Sequence, residues 1–212
     1  MAEKVRAVII CGSPEADIDF IKSFVRENDY VMCADNGYNT AKKAGIIPDI
    51  FVGDFDSYKG VVEKSVEVVR LNTHKDDTDT MHCAELAARY GFKKAALLAA
   101  TGARLDHTLA NFNVLKFFAE HEIEASVNTR TETVHFHTVG EYTYNKLNGR
   151  TFSLIPFCCE SAVVSFEGNV EYPARELELS SSQVTGVSNI FKSDSVKINI
   201  LKGNVLVVVN LI

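Results

Sequence analysis

The chain changes its hydrophobic period once, near residue 128, and no other feature constrains its fold so strongly. Before that point, short β-branched runs alternate with longer amphipathic stretches that close near Gly or Asn. The runs predict strands over 5–11, 30–34, 50–53, 66–71, 95–100 and 124–128. Helices fit between them. Ser13-Pro14 opens one that runs to about Glu27, with Ile18, Ile21, Phe24 and Val25 on one face. A short one covers 39–44 and closes on Gly45, and another covers 78–90 with Met81, Leu86 and Ala88 among its core candidates. The last covers 106–122 and carries Leu109, Phe112, Leu115 and Phe118. Strand–helix–strand order with short connections predicts a mostly parallel sheet covered on both faces, with ligands at the carboxyl edge of its strands.

After residue 128 the runs 133–139, 152–156, 162–167, 184–191, 196–201 and 205–211 follow one another without a helical stretch. Turn signals at Asn148-Gly149, Gly168-Asn169 and Lys202-Gly203-Asn204 separate some of them. The expectation is an α/β domain over 1–128 followed by an antiparallel β-sandwich over 129–212.

A chain of 212 residues can bury a core that needs no covalent staple. Its five cysteines are odd in number, lack CxxC spacing and follow no basic-plus-apolar leader, which predicts free thiols and a cytoplasmic setting. Lys plus Arg is 22 against 28 for Asp plus Glu, and the net charge of -6 favours small molecules over nucleic acid as partners. No apolar run reaches the roughly 18 residues of a spanning helix, so no membrane partner is expected.

The chemistry lies in where the aspartates fall. Asp35 ends the run 30–34, Asp54 and Asp56 end 50–53, and Arg104 and Asp106 follow 95–100. If those strands are parallel, all these side chains meet on one rim. Lys75-Asp76-Asp77-Thr78-Asp79 sits at the start of a helix, where carboxylates are favoured. An aspartate after a strand is most often a turn former or cap, but three coincident strand ends lower that reading for the set. Gathered carboxylates repel unless a cation neutralises them, and Mg²⁺ suits hard oxygen ligands combined with substrate phosphates. Arg104 offers a guanidinium to a phosphate from a Gly-containing turn into a helix, with pairing to Asp106 as the alternative. No GxxxxGK[ST] loop or GxGxxG fingerprint occurs, so any nucleotide is held in another way. His107 could touch a ligand or simply occupy a first helical turn; His135 and His137 share a strand face without a third ligand at zinc spacing. Cys158 and Cys159 would point to opposite faces of a strand as packing residues.

At these clusters the sequence resembles the thiamine pyrophosphokinase family, in order along the chain. Cys33-Ala34-Asp35-Asn36-Gly37 looks like the family's Ala-Asp-Gly-Gly segment, and Pro48-Asp49 with Gly53-Asp54-Phe55-Asp56-Ser57 looks like its Pro-Asp…Gly-Asp-x-Asp-Ser. Asp76-Asp77-Thr78-Asp79 resembles Asp-x-Thr-Asp, and the block 101–107, continued by Thr108-Leu109-Ala110-Asn111, resembles Gly-Arg-x-Asp-His. Gly186-Val187-Ser188-Asn189 is similar to the Ser-Asn segment of the thiamine-binding domain. The resemblance implies an α/β catalytic domain and a β-sandwich, a homodimer with thiamine near its interface, and transfer of a diphosphoryl group from ATP to thiamine. It implies that Asp54, Asp56 and Asp79 bind Mg²⁺ and phosphates and act in catalysis with Arg104, one of the three able to accept the alcohol proton. Asp35, Thr78, Asp106 and His107 would join Arg104 around the nucleotide, and Ser188 and Asn189 would help to hold thiamine. Asn36 and Ala103 replace usual glycines, which bears on any left-handed backbone at those positions. Two other functions fit the same residues: a Mg²⁺-dependent phosphohydrolase on the same carboxylate rim, and a thiamine- or nucleotide-binding sensor without turnover.

Overall fold

The structure is a computed structural model that describes residues 4–54, 58, 60–72 and 77–212. The chain divides into two compact units at Arg130/Thr131.

In the first unit, β1 (Arg6–Ile10), α1 (Ile18–Phe24), β2 (Asp29–Ala34), α2 (Gly37–Lys43), β3 (Ile50–Gly53) and β4 (Glu67–Arg70) are followed by α3 (Asp79–Arg89), β5 (Lys94–Leu98), α4 (Leu105–Glu120) and β6 (Glu124–Asn128). The strands stand in the order β6-β5-β1-β2-β3-β4, every neighbouring pair parallel, as the alternating period predicts. The central strand residues Val8, Ile10, Cys33, Phe51 and Leu98 are fully buried, and Tyr38 of α2 stacks on Phe51 with ring centroids 4.6 Å apart. Gly37 is required by that packing: a Cβ there would stand 1.9 Å from the Ile10 carbonyl oxygen, so only glycine lets α2 start against the end of β1.

Three helical expectations shift. α1 begins at Ile18 rather than at Ser13-Pro14, because Asp17 is the residue whose side chain accepts the Phe20 N–H at 2.9 Å. It ends at Phe24, since Val25 is already extended. Along α3 the buried stripe is Thr80, Cys83, Ala84 and Ala87, while Met81, Leu86 and Ala88 are half-buried. On α4, Leu115 and Phe118 are buried, Phe112 is half-buried and Leu109 is exposed.

The second unit contains β7 (Glu132–His137), β8 (Gly140–Asn145), β9 (Thr151–Pro156), β10 (Ser161–Glu167), β11 (Leu177–Ser180), β12 (Asn189–Ile190), β13 (Ser195–Lys202) and β14 (Val205–Asn210). They form two antiparallel layers, β12-β9-β14-β7 and β11-β10-β13-β8. Between them lie Phe152, Phe191, Val164, Ile198 and Val207, with Phe152 stacked on Phe191 at 4.3 Å. An α/β arrangement followed by a β-sandwich is therefore the fold class. Within it, 184–191 is a strand only at Asn189–Ile190; Val184 and Val187 are exposed, so their β-branching does not report a core strand. Cys158 and Cys159 lie in the turn between β9 and β10, where Cys158 has φ +55° and Cys159 Sγ accepts the Asn204 N–H at 3.4 Å.

Candidate active site

Parallel strands deliver their carboxyl ends to one edge, and the first unit carries a cavity of about 260 Å³ lined by segments that follow β1, β2 and β5 and by the starts of α3 and α4. Asp35, Thr78, Asp79, Arg104 and His107 all line it. Five residues separated by as many as 72 positions along the chain (107 − 35) thus share one space.

Each is placed by local structure. Asp35 leaves β2 with a left-handed φ of +46°, donates its N–H to the Val52 carbonyl at 2.9 Å and accepts the Tyr38 N–H at 3.2 Å. Asn36, by contrast, is right-handed with φ -59°, so the loss of a glycine there is without conformational cost. Thr78 caps α3, its hydroxyl accepting the Met81 N–H at 3.2 Å, and this puts the Asp79 carboxylate in the first helical turn. Arg104 is extended at the start of α4, with φ -109° and ψ 103°. The Arg104 side chain does not cap that helix; the Asp106 carboxylate accepts the first-turn His107 N–H at 3.0 Å, and the cavity reaches His107 and Thr108. Ala103 does take the left-handed conformation at φ +43° that a glycine would hold more easily.

The Arg104 guanidinium is paired with Asp106, Nε to Oδ1 at 3.2 Å and the second nitrogen to Oδ2 at 2.5 Å. Both side chains are about two-thirds exposed, and the arginine holds the Asp106 carboxyl below its ordinary range. Asp106 does not line the cavity; it orients the guanidinium from outside. Asp54 follows β3, whose Val52 pairs with Ala34, so it stands one strand over from Asp35, half-buried and outside the cavity wall. Asp56 and Asp76 lie outside the described residues. Among the described residues no group of three His, Cys, Asp or Glu is close enough to hold a metal by protein ligands alone. The two cavity-wall carboxylates are Asp35 and Asp79, and Mg²⁺ in general needs only one or two carboxylates beside phosphate oxygens.

Other cavity residues were given no role at the site. Gly12, Ser13 and Pro14 form a loop after β1 rather than a helix, tied down by the Ser13 N–H donating to the Ala99 carbonyl at 3.2 Å. Their position directly after the first strand of a parallel sheet was the available signal. Asn111 is buried and donates to the Ala100 carbonyl at 2.7 Å, fixing the loop after β5. Cys11 also touches the cavity, but burial pushes its thiol up to about 12, so it is a neutral wall group and no nucleophile at neutral pH.

The second unit has its own cavity, about 250 Å³, bounded by Phe152, Leu154, Phe166, Tyr172, Leu179 and Asn189. Both ends of the Asn189 side-chain amide are hydrogen-bonded there. Its carbonyl accepts the N–H groups of Tyr172 at 3.0 Å and Ile190 at 2.8 Å, and its amide donates to the Tyr172 carbonyl at 3.0 Å. Ser188 adjoins the cavity without lining it, at φ +61°, its N–H donated to Ser153 Oγ at 3.1 Å.

The family model for the thiamin pyrophosphokinase catalytic domain matches residues 21–127, half of the chain. The thiamine pyrophosphokinase of Bacillus subtilis (strain 168) is 27% identical over 191 residues, covering 85% of this chain and 87% of that protein. Thiamine pyrophosphokinase 1 of Oryza sativa subsp. japonica is 27% identical over 167 residues, 71% of this chain and 62% of that one. In fold, the crystal structure of the Bacillus subtilis protein superposes with a TM-score of 0.86 at 24% identity, over 97% of this chain and 98% of that one. Thiamin pyrophosphokinase from Candida albicans gives 0.81 at 17% identity, over 97% and 89%. With a matched catalytic domain, relatives of the same name and a shared two-unit fold, this chain is an enzyme that belongs to the thiamin pyrophosphokinase family.

Proposed function

We propose that the chain transfers the diphosphoryl group of ATP to the hydroxyethyl oxygen of thiamine, releasing AMP and thiamine diphosphate. The observation that carries this reading is the convergence of Asp35, Thr78, Asp79, Arg104 and His107 on one cavity at the carboxyl edge of a parallel sheet. In the reaction the thiamine oxygen bonds to the β-phosphorus while the bond from that phosphorus to the oxygen bridging to the α-phosphate breaks. The alcohol proton goes to a carboxylate and the leaving electron pair stays on AMP. The protein's task is alignment and charge compensation.

Arg104, held in place by Asp106, faces phosphate oxygens at the start of α4, where the helix dipole favours negative charge. Asp54, Asp56 and Asp79 are the residues that would hold Mg²⁺, with one of them taking the alcohol proton; Asp35, Thr78 and His107 complete the nucleotide pocket. Magnesium, when bound, supplies charge neutralisation across the phosphates. Asn189, in the wall of the second unit's apolar cavity, and Ser188 beside it contribute to thiamine binding, and the aromatic walls of that cavity suit a flat heterocycle. A ring-sized apolar cavity favours an organic acceptor over water, hence transfer over hydrolysis. Homodimerisation and a cytoplasmic setting belong to the same proposal. Among the described residues, no helix is long and apolar enough to cross a membrane.

Purified protein given ATP, Mg²⁺ and thiamine should produce AMP and thiamine diphosphate in equal amounts. Release of ADP, or phosphate release that does not depend on thiamine, would overturn the assignment, and nucleotide binding without turnover would point to a sensor.

A further inference from the structure

The loop that presents Arg104 is bent in a way its sequence disfavours. Gly102 has φ +96° and Ala103 φ +43°, and the Arg104 N–H reaches back to the Gly102 carbonyl at 2.5 Å. This is a three-residue turn of the positive-φ kind, which is rare and strained, and it is centred on a residue with a Cβ. Something outside the turn must favour it.

That partner is 88 positions away in sequence. Glu15, in the loop after β1, accepts the Ala103 N–H through Oε2 at 2.9 Å. Its carboxylate also lies over Gly102, where a Cβ would stand 2.5 Å from the same oxygen. The Glu15 end is itself set, its own N–H donated to Ser13 Oγ at 3.3 Å, while Asp17 two residues on caps α1 and takes a bidentate pair from Arg130 at 2.6 and 2.7 Å. Neither Glu15 nor Ala103 lines the cavity, whereas their neighbours Pro14, Gly102 and Arg104 all do. The contact therefore lies outside the cavity lining, on exposed surface, and does not compete with a ligand for a donor inside the cavity.

We propose that Glu15 is a positioning residue: by accepting the Ala103 N–H it holds the left-handed Gly102-Ala103 turn in the shape that brings Arg104 to the cavity. The proposal rests on the reading of that cavity as the site of the nucleotide phosphates. A charge-assisted bond to a backbone N–H is a strong way to fix such a turn, and an amide carbonyl at the same place supplies the same acceptor more weakly. Glycine at 103 adopts positive φ without help, so the carboxylate should matter less once Ala103 is replaced by it.

The test is steady-state kinetics of the full chain with ATP varied at saturating thiamine and Mg²⁺, on Glu15→Ala, Glu15→Gln, Ala103→Gly, the double variant Glu15→Ala/Ala103→Gly, and Arg104→Ala. Glu15→Ala should raise KM for ATP about tenfold with kcat little changed, the pattern expected when a binding group is misplaced. Glu15→Gln should recover most of that loss. In the Ala103→Gly background, Glu15→Ala should cost less than about threefold. Amide exchange at Ala103, followed by NMR without any substrate, should accelerate in Glu15→Ala and stay slow in Glu15→Gln. An equal loss in both backgrounds, or unchanged exchange at Ala103, would overturn the clamp. Normal kinetics in Glu15→Ala beside a crippled Arg104→Ala overturns the clamp alone; normal ATP use by Arg104→Ala overturns the reading of the cavity with it.

Discussion

The two cavities are nearly equal in size and built in opposite ways. The first unit's cavity is assembled from loops and helix starts beyond the ends of the strands, and its polar groups Thr78 and Arg104 are exposed. The second unit's cavity is walled by its own core, with Phe152 1%, Leu154 3% and Leu179 1% exposed. In the first unit, an exposed group such as Arg104 can be changed with little effect on folding. In the second, shape and stability are the same property.

This contrast can be broken at four places. Phe152→Ala should have the largest effect: it removes a ring stacked on Phe191 and cavity wall together, costing about 3–5 kcal/mol of stability in urea or thermal unfolding. A loss below about 1 kcal/mol would mean that the second cavity is separable from its core after all. Arg104→Ala should lower kcat/KM for ATP by about a hundredfold, equivalent to about 2.7 kcal/mol, while the melting temperature stays within about a degree, because the Arg104–Asp106 pair is exposed. A melting point that falls along with activity would erase the distinction between the two regions.

The third effect depends on pH. His137 stacks on Tyr142 with centroids 3.6 Å apart and lies 2.9 Å from the Tyr144 hydroxyl. Burial, with His135 beside it, pushes its imidazole down to about 3. An unfolded histidine titrates near 6.5, so on acidification the unfolded chain takes the proton first. The stability that neutral His137 allows is complete above about pH 6.5 and drains away as pH falls towards 3. Urea midpoints measured between those values should fall more gently in His137→Gln than in the unaltered chain; parallel slopes would show that this site does not set the acid sensitivity of the second unit. The smallest effect should be Thr78→Ala, which removes the α3 cap at a cost of about 1 kcal/mol. Added ATP and Mg²⁺ should recover only part of that loss, since Thr78 also lines the cavity.

Much of this organisation is legible in the residues. The run 50–53 coincides with β3, because a buried parallel strand is a continuous apolar stretch ended by turn formers, while 124–128 coincides with β6, a strand in which only Val127 is buried. β8 escapes such a reading: Gly140-Glu-Tyr-Thr-Tyr-Asn145 alternates, but Tyr142 and Tyr144 are only half-buried and their partners are polar, so the apolar signal is faint. β11 is short, with Leu179 buried and Leu177 exposed. Exposed valines at 184 and 187 mislead in the other direction, since β-branching marks a strand only where a neighbour pairs with it.

The site divides along the same line. An aspartate at a strand end, a threonine before a helical pattern and an arginine in a Gly-containing turn are local signals, and the parallel order of the strands brings Asp35, Thr78 and Arg104 to one cavity. That Asn189 spends its amide on Tyr172 and that Glu15 reaches Ala103 depend on segments 17 and 88 positions apart meeting at hydrogen-bond distance, whereas the Arg104–Asp106 pair is local and legible in the residues. Hydrophobic period and turn chemistry decide which elements form and where their ends lie. Which side chain then bonds to which is decided by tertiary packing, because a hydrogen bond is selected over tenths of an ångström and no one-dimensional pattern carries that precision.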